Sequence, residues 1–292
     1  MNNGLESSET GQVLSIGDKI PCKSFGRIHS RFEQILNFYL GEQIVSLVTP
    51  EVGTGPFRIV VENVDLKTIS AVKLTEVELV LNHSIKLLRR TATAFSSAWV
   101  PDHYDSEKMH ENILWVKKKL LEKDDDKSLS FLLKQEKNAQ SQSAFEQELF
   151  SQISLAFQKL GQNEVAEAVN GFRGRGYGLT PAGDDFNTGL LLGLTIRHRF
   201  EKKEMANIRS LVYSHAVGKN LLVNTFLLQA YHGWYNANWK RLLTALNGQT
   251  ADLSADLNRQ TSDLSVALQD ILAQGETSGA DTLTGFVTAW DV

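Results

Sequence analysis

The chain has 292 residues, of which 42% are hydrophobic and 22% charged, and a formal net charge of -4. That length accommodates one large domain or two ordinary ones, and the composition is that of a globular protein able to build its own core. The acidic balance gives no reason to expect nucleic acid or an anionic membrane as partner. The lone cysteine, Cys22, excludes an internal disulfide and a cysteine-based zinc site, and reads as a small buried or half-buried residue.

Residues 1–10 are polar and read as a frayed terminus. The first twenty residues lack both a basic start and an apolar stretch, so no signal peptide is expected and a reducing cytoplasm is the expected compartment. From 11 to 104 the pattern favours strands: VLSIG, QIVSLVTP and FRIVVENV are β-branched segments punctuated by Gly, Pro and Asn. Between the first two, Phe32, Ile35, Leu36 and Leu40 recur at helical spacing with Gly41 as a stop, which predicts a helix there. Arg27 and His29 would then lie at its start, either solvated or reaching across a domain interface. TEVELVLNHSIKLLRR reads as a strand running into a helix.

A domain boundary is expected near 101–106, in PDHYDS. Residues 105–292 are helical in period through ENILWVKKKLLEK, SAFEQELFSQISLAFQKLG, NTGLLLGLTIRHRF, MANIRSLVYSHAV, NLLVNTFLLQAYHGWY, WKRLLTALNG and SDLSVALQDILAQG. The run KDDDKSLSFLLKQEKNAQSQS, between the first two of these, reads as exposed or loosely ordered. No apolar run approaches the roughly 20 residues that span a bilayer. The fold class is therefore α+β, a small strand-rich N-terminal unit followed by a mostly helical C-terminal domain.

The helical half contains GFRGRGYGLTPAGDDF at 171–186, which divides into two parts. GFRGRGYG supplies backbone suited to positive φ or to close approach by a ligand. LTPAGDDF looks like a helix start, with Thr180 as N-cap, Pro181 at the first helical position, and Asp184 and Asp185 near the positive end of the dipole. A second copy of the ending follows: GDDFNTG (183–189) and GADTLTG (279–285) both read Gly-x-Asp-x-x-Thr-Gly, 279 − 183 = 96 residues apart. Within each copy the Asp, Thr and second Gly share one helix face (Asp185, Thr188 and Gly189; Asp281, Thr284 and Gly285). A glycine inside a helix costs roughly 1 kcal/mol relative to alanine. Two at matched places point to close helix–helix or helix–ligand contact.

Two helix N-termini brought together would surround a shared pocket with free N–H groups and carboxylates. N–H groups suit anions and carboxylates suit cations, so such a site fits a Mg²⁺–phosphate or a substrate with an anionic and an amide end. Arg173 and Arg175 would add charge-assisted contacts, and Gly176, Gly178, Thr180, Gly183, Ser278 and Gly279 would line the ligand. Asp184, Asp185 and Asp281 are the candidate catalytic carboxylates, and Asp185 and Asp281 the candidate metal ligands. The alternative reading makes these aspartates helix caps and the glycines packing joints. Asn224 and Thr225 either bond local backbone or face the pocket, and His215 and His232 are either acid–base groups or packed residues. No Gly-Lys-Ser/Thr follows the glycine loop and no strand precedes it, which excludes a Walker A loop and a dinucleotide fingerprint. HExxH and G-x-S-x-G are absent too.

GYGLTPAGDDFNTGLLLGL resembles the signature of a bacterial family that includes the third subunit of oxamate carbamoyltransferase, an enzyme of anaerobic allantoin breakdown whose relatives are often labelled carboxylases. GETSGADTLTGF is similar to that family's C-terminal Ser-Gly-x-Asp segment, VNTFLLQAYHG to its intervening helix, and RIHSRFEQ and IVSLVTPEVGTGPFRIVV to its N-terminal half. Tyr177 departs from the Pro or small residue of the lead-in, and Thr277 stands where a His sometimes lies nearby. The resemblance implies a carbamoyltransferase subunit acting with two other subunits. Its site would be built from Gly178, Thr180, Gly183, Asp184, Asp185, Ser278, Gly279 and Asp281. A carbamoyl phosphate, oxamate or nucleotide ligand would bind there, with Mg²⁺ held by the aspartates. Catalysis would rest on electrostatic positioning, since no nucleophile is evident. The alternative is a non-catalytic scaffold subunit whose motifs serve helix packing and partner docking.

Overall fold

The structure, a computed structural model, describes residues 11–21, 24–122, 127–134, 143–201, 205–249 and 263–292. The expectations for residues 1–10 and for Cys22 lie outside the described residues. The chain divides into two compact units, Met1–Ser97 and Ala98–Val292. Among the described residues no helix is long and apolar enough to cross a membrane.

The first unit is one nine-stranded sheet. Its strands are β1 (Gln12–Gly17), β2 (Ser24–Arg31), β3 (Ile35–Leu40), β4 (Gln43–Val48), β5 (Arg58–Glu62), β6 (Val72–Leu74), β7 (Glu78–Leu81), β8 (Ile85–Leu88) and β9 (Thr93–Phe95), in the order β8-β7-β6-β2-β3-β4-β5-β1-β9. Most neighbours run antiparallel, while β4–β5 and β1–β9 are parallel.

The helix expected across residues 29–41 is instead part of two strands. Arg27 and His29 lie on β2, where the Arg27 guanidinium sits 5.2 Å from the Tyr39 ring centre, so neither marks a helix start. Phe32, one of the four residues of the apparent helical stripe, is 48% exposed, whereas Leu36, Phe38 and Leu40 are buried at strand spacing. Gly41 does not stop a helix; at φ +66° it opens the turn after the Leu40↔Gln43 pair, where a two-residue hairpin loop demands positive φ. TEVELVLNHSIKLLRR likewise forms the β7–β8 hairpin, with Asn82 and His83 at positive φ in its turn, and not a strand leading into a helix. In both places an apolar run of six residues or fewer fits either period, and turn chemistry decides.

The second unit is helical: α1 (Ser106–Glu122), α2 (Ala144–Gly161), α3 (Val165–Phe172), α4 (Ala182–Glu201), α5 (Met205–Ala216), α6 (Leu221–His232), α7 (Ala237–Leu246), α8 (Leu264–Leu272) and α9 (Ser278–Thr288). Of the run expected to be exposed between the first two helices, the part within the described residues contains a short 3-10 turn, Leu129–Leu133. It buries Leu129, Ser130 and Leu132. Leu129 and Leu132, two and five residues after Lys127, are the apolar anchors that the local charge density conceals.

At the centre α4 crosses α9. Phe186, Leu190, Leu191 and Leu194 of α4 and Leu283, Phe286 and Val287 of α9 are buried in one apolar core. The two backbones touch because the crossing is made of glycine. A Cβ on Gly189 would stand 1.8 Å from the Thr282 carbonyl oxygen, and one on Gly285 2.0 Å from the Phe186 carbonyl oxygen. Any side chain at either place would force the helices apart. Phe186 and Thr282 each lie three residues into their own motif copy, so the contact is reciprocal, and the two copies are related by an approximate two-fold about the crossing.

Candidate functional site

The same reciprocity extends to the helix starts. A Cβ on Gly183 would lie 2.0 Å from the carbonyl oxygen of Phe172, the last residue of α3, and one on Gly279 2.0 Å from that of Ile271, near the end of α8. Each first glycine thus lets a helix begin directly against the helix that precedes it. Thr188 and Thr284 also match: their hydroxyls donate to the carbonyls four residues back, Asp184 at 2.9 Å and Ala280 at 2.7 Å. Both threonines serve their own helices. Of the seven motif positions, the two glycines and the threonine are explained by packing and local hydrogen bonding.

The helix starts converge where Thr180 Oγ1 and Ser278 Oγ come within 3.3 Å. Thr180 was expected to cap α4, but its hydroxyl faces Ser278. Pro181, expected at the first helical position, stands just before it: its carbonyl accepts from Asp184 N (2.8 Å) and Asp185 N (3.0 Å), so α4 begins at Ala182.

The three carboxylates of the motifs have different surroundings. Asp184 Oδ1 accepts from the Gly174 amide at 2.8 Å and so holds the glycine loop; burial raises its pKa, while that hydrogen bond and the nearby Arg173 charge oppose the rise. Asp281, 0% exposed, accepts from the Leu129 amide at 2.6 Å and docks the 3-10 turn. Asp185, 7% exposed, has an Oδ2 that is buried with no hydrogen-bond partner among the described residues. Its pKa lies well above the usual carboxylate value. Burial is the largest cause, and repulsion from Asp281 and Asp184 adds to it. The Ser278 and Thr180 hydroxyls beside the carboxyl pull the other way. A buried oxygen without a donor is costly.

The glycine loop keeps the conformation its composition demands, with Gly174, Gly176 and Gly178 at φ +69°, +123° and +82°. Its arginines are occupied. Arg173 Nη1 donates to the carbonyls of His215 (3.0 Å) and Val217 (3.4 Å), and Arg175 donates to Gln152 Oε1 (2.9 Å) and the Asn170 carbonyl (3.4 Å). They fasten the loop to α2, α3 and the end of α5. Asn224 is engaged in both directions with Gly218, and Thr225 donates to Leu221 O, so of the two readings these residues take the local-backbone one. His215 Nδ1 lies 2.9 Å from Asn170 Nδ2, and His232 stacks on Trp234 with centroids 4.5 Å apart.

Two residues of this region were not singled out in the sequence. Asn220 caps α6 through its Oδ1 and donates from Nδ2 to Leu179 O at 2.7 Å, tying that helix to the glycine loop. Asn187, fully buried inside the first motif, donates to Val169 O at 3.1 Å while its Oδ1 has no hydrogen-bond partner among the described residues. A polar residue at a core position of an apolar helix was the available signal for it. Among the described residues no group of three or more His, Cys, Asp or Glu side chains is arranged to hold a metal ion.

Residues 172–290 match the family model described as oxamate carbamoyltransferase subunit AllH. The match covers less than half of the chain and supports an AllH-like family for this segment. It begins at the end of α3 and closes just after α9, and so takes in both motif copies and the helices between them. No curated protein and no solved structure matches the chain.

Proposed function

We propose that the chain is a subunit of an oxamate carbamoyltransferase-like enzyme of purine-nitrogen breakdown, working with other subunits and binding a carbamoyl or carboxylate ligand where α4 and α9 begin. The family match supports the subunit reading. The observation that carries the ligand reading is the buried Asp185 Oδ2, without a hydrogen-bond partner among the described residues, beside the Thr180–Ser278 pair. A carbamoyl or oxamate NH₂ group would donate to that oxygen, the two hydroxyls would orient the adjoining carbonyl, and the helix N-termini would favour the negative end. Catalysis of this kind works by positioning and electrostatics and needs no protein nucleophile.

The engaged arginines and the three nearby carboxylates make a free dianionic phosphate the poorer ligand at this place. Phosphate would be accommodated with Mg²⁺, which takes one or two carboxylates plus ligand oxygens; Asp185 and Asp281 would hold it, and the cation would relieve the repulsion that raises Asp185. A second reading, a scaffold subunit, is favoured by the packing of Gly183, Gly189, Gly279 and Gly285 against backbone. The test is carbamoyl transfer by the assembled complex containing either the wild-type chain or Asp185→Asn. Loss of turnover with intact assembly supports the ligand site. Full turnover by the variant contradicts it and leaves the scaffold reading.

A further inference from the structure

The opposite end of α4 carries a second cluster of polar groups that neither the motifs nor the proposed function uses. Arg199 Nη1 donates to the Trp99 carbonyl at 2.7 Å and contacts the Tyr104 hydroxyl at 3.2 Å. Arg209, from α5, donates from Nε to Thr195 Oγ1 at 3.1 Å and from Nη2 to the Tyr231 carbonyl, and its guanidinium lies 5.1 Å from the centre of the Tyr231 ring. Every one of these partners is neutral.

Burial draws the Arg209 pKa down, and repulsion from Arg199 adds to it. No carboxylate accepts from either guanidinium among the described residues. The C-terminal end of α4 offers Arg199 the partial negative charge of a helix dipole.

Next to both arginines stands Tyr235, 1% exposed, whose hydroxyl is buried with no hydrogen-bond partner among the described residues. Burial keeps the phenol protonated at neutral pH, so it does not neutralise the cations; it is a donor lacking an acceptor. The chain passes this hydroxyl as the left-handed Gly233. A Cβ there would stand 3.1 Å from Arg199 Nη2 and 3.2 Å from the Tyr235 hydroxyl oxygen, so glycine keeps the edge of the cluster bare. Among the described residues, two half-buried guanidinium groups without a counter-charge and a buried hydroxyl without an acceptor ask for the same thing, an oxygen-bearing anion.

We propose that Arg199, Arg209 and the Tyr235 hydroxyl, beside the Gly233 turn, form a binding site for a small oxyanion, a carboxylate or a phosphate. It is separate from the Asp185 region along the whole of α4 and stands whether or not that region binds a carbamoyl compound. The experiment is isothermal titration of the full chain with inorganic phosphate and, separately, with acetate at constant chloride ionic strength, using wild type, Arg209→Gln and Tyr235→Phe. Saturable binding of one anion or both is expected, weakened about tenfold or more by Arg209→Gln and severalfold by Tyr235→Phe. Which of the two anions binds identifies the ligand class. Tyr235→Phe removes a single oxygen from a packed ring, so it keeps the test decisive if Arg209→Gln fails to fold. Binding of neither anion to the wild type, or unchanged binding by Tyr235→Phe, overturns the proposal.

Discussion

The two copies of Gly-x-Asp-x-x-Thr-Gly share a backbone role and differ at the carboxylate. Gly183 and Gly279 seat their helices against the preceding ones, Gly189 and Gly285 make the crossing, and Thr188 and Thr284 bond back within their own helices. Asp281 receives the Leu129 amide through one carboxylate oxygen. Asp185 has a buried Oδ2 without a hydrogen-bond partner among the described residues, beside Thr180 and Ser278. The Asp281 carboxylate takes a backbone amide from a distant turn, no such amide donates to Asp185 among the described residues, and the shared glycines are what bring the two aspartates near each other.

The comparison breaks most readily at the crossing. Gly189→Ala and Gly285→Ala should each lower unfolding free energy by about 3 kcal/mol or more, since the new Cβ meets a backbone carbonyl that cannot turn aside. Urea denaturation with intact m-values measures this, and a loss below about 0.5 kcal/mol in either variant would mean that the helices do not touch as described. Next in size is the contrast between the aspartates. Asp281→Ala strands the buried Leu129 amide and should cost about 2 kcal/mol, whereas Asp185→Asn should leave stability at neutral pH unchanged or raised. Equal losses in the two variants would erase the distinction.

A third effect is the pH profile. The Asp185 pKa is raised above its model-compound value of 3.8, so the folded state holds that proton more tightly than the unfolded state does. Its contribution to stability is present below pH 3.8 and is lost as pH rises from there through the folded-state pKa. Thermal melts across that range should show a decline that is smaller in Asp185→Asn; identical profiles would count against the buried carboxyl. The smallest effects belong to the matched hydroxyls. Thr188→Val and Thr284→Val should each change stability by less than about 1 kcal/mol and by similar amounts, and a large difference would disprove their equivalence.

Much of this arrangement is legible in the sequence. The repeat itself, the glycines as signs of close contact, and the meeting of the helix starts all follow from residue type and spacing. Side-chain destinations do not, because they depend on which distant backbone groups arrive alongside. Arg173 and Arg175 look like anion contacts on a flexible loop, yet carbonyls of α3 and of the segment at the end of α5, together with a glutamine of α2, occupy them. Asp281 looks equivalent to Asp185 until the 3-10 turn at Leu129, hidden in a charged run, comes to rest on it. In the first unit, Phe32, Ile35, Leu36 and Leu40 match a helix in number and spacing. Only the positive φ at Gly41 and the pairing with β4 show two strands. Local pattern carries the element wherever it is long, as in α4, and fails where an apolar run is too short to distinguish one period from the other.

The most direct test is calorimetric titration of oxamate into the assembled complex containing wild-type chain, Asp185→Asn or Asp281→Asn, with melting temperatures measured on the same samples. Binding should be abolished by Asp185→Asn without a fall in melting temperature, and retained by Asp281→Asn despite one. Wild-type affinity in the Asp185→Asn complex would contradict the assignment of that oxygen to a ligand.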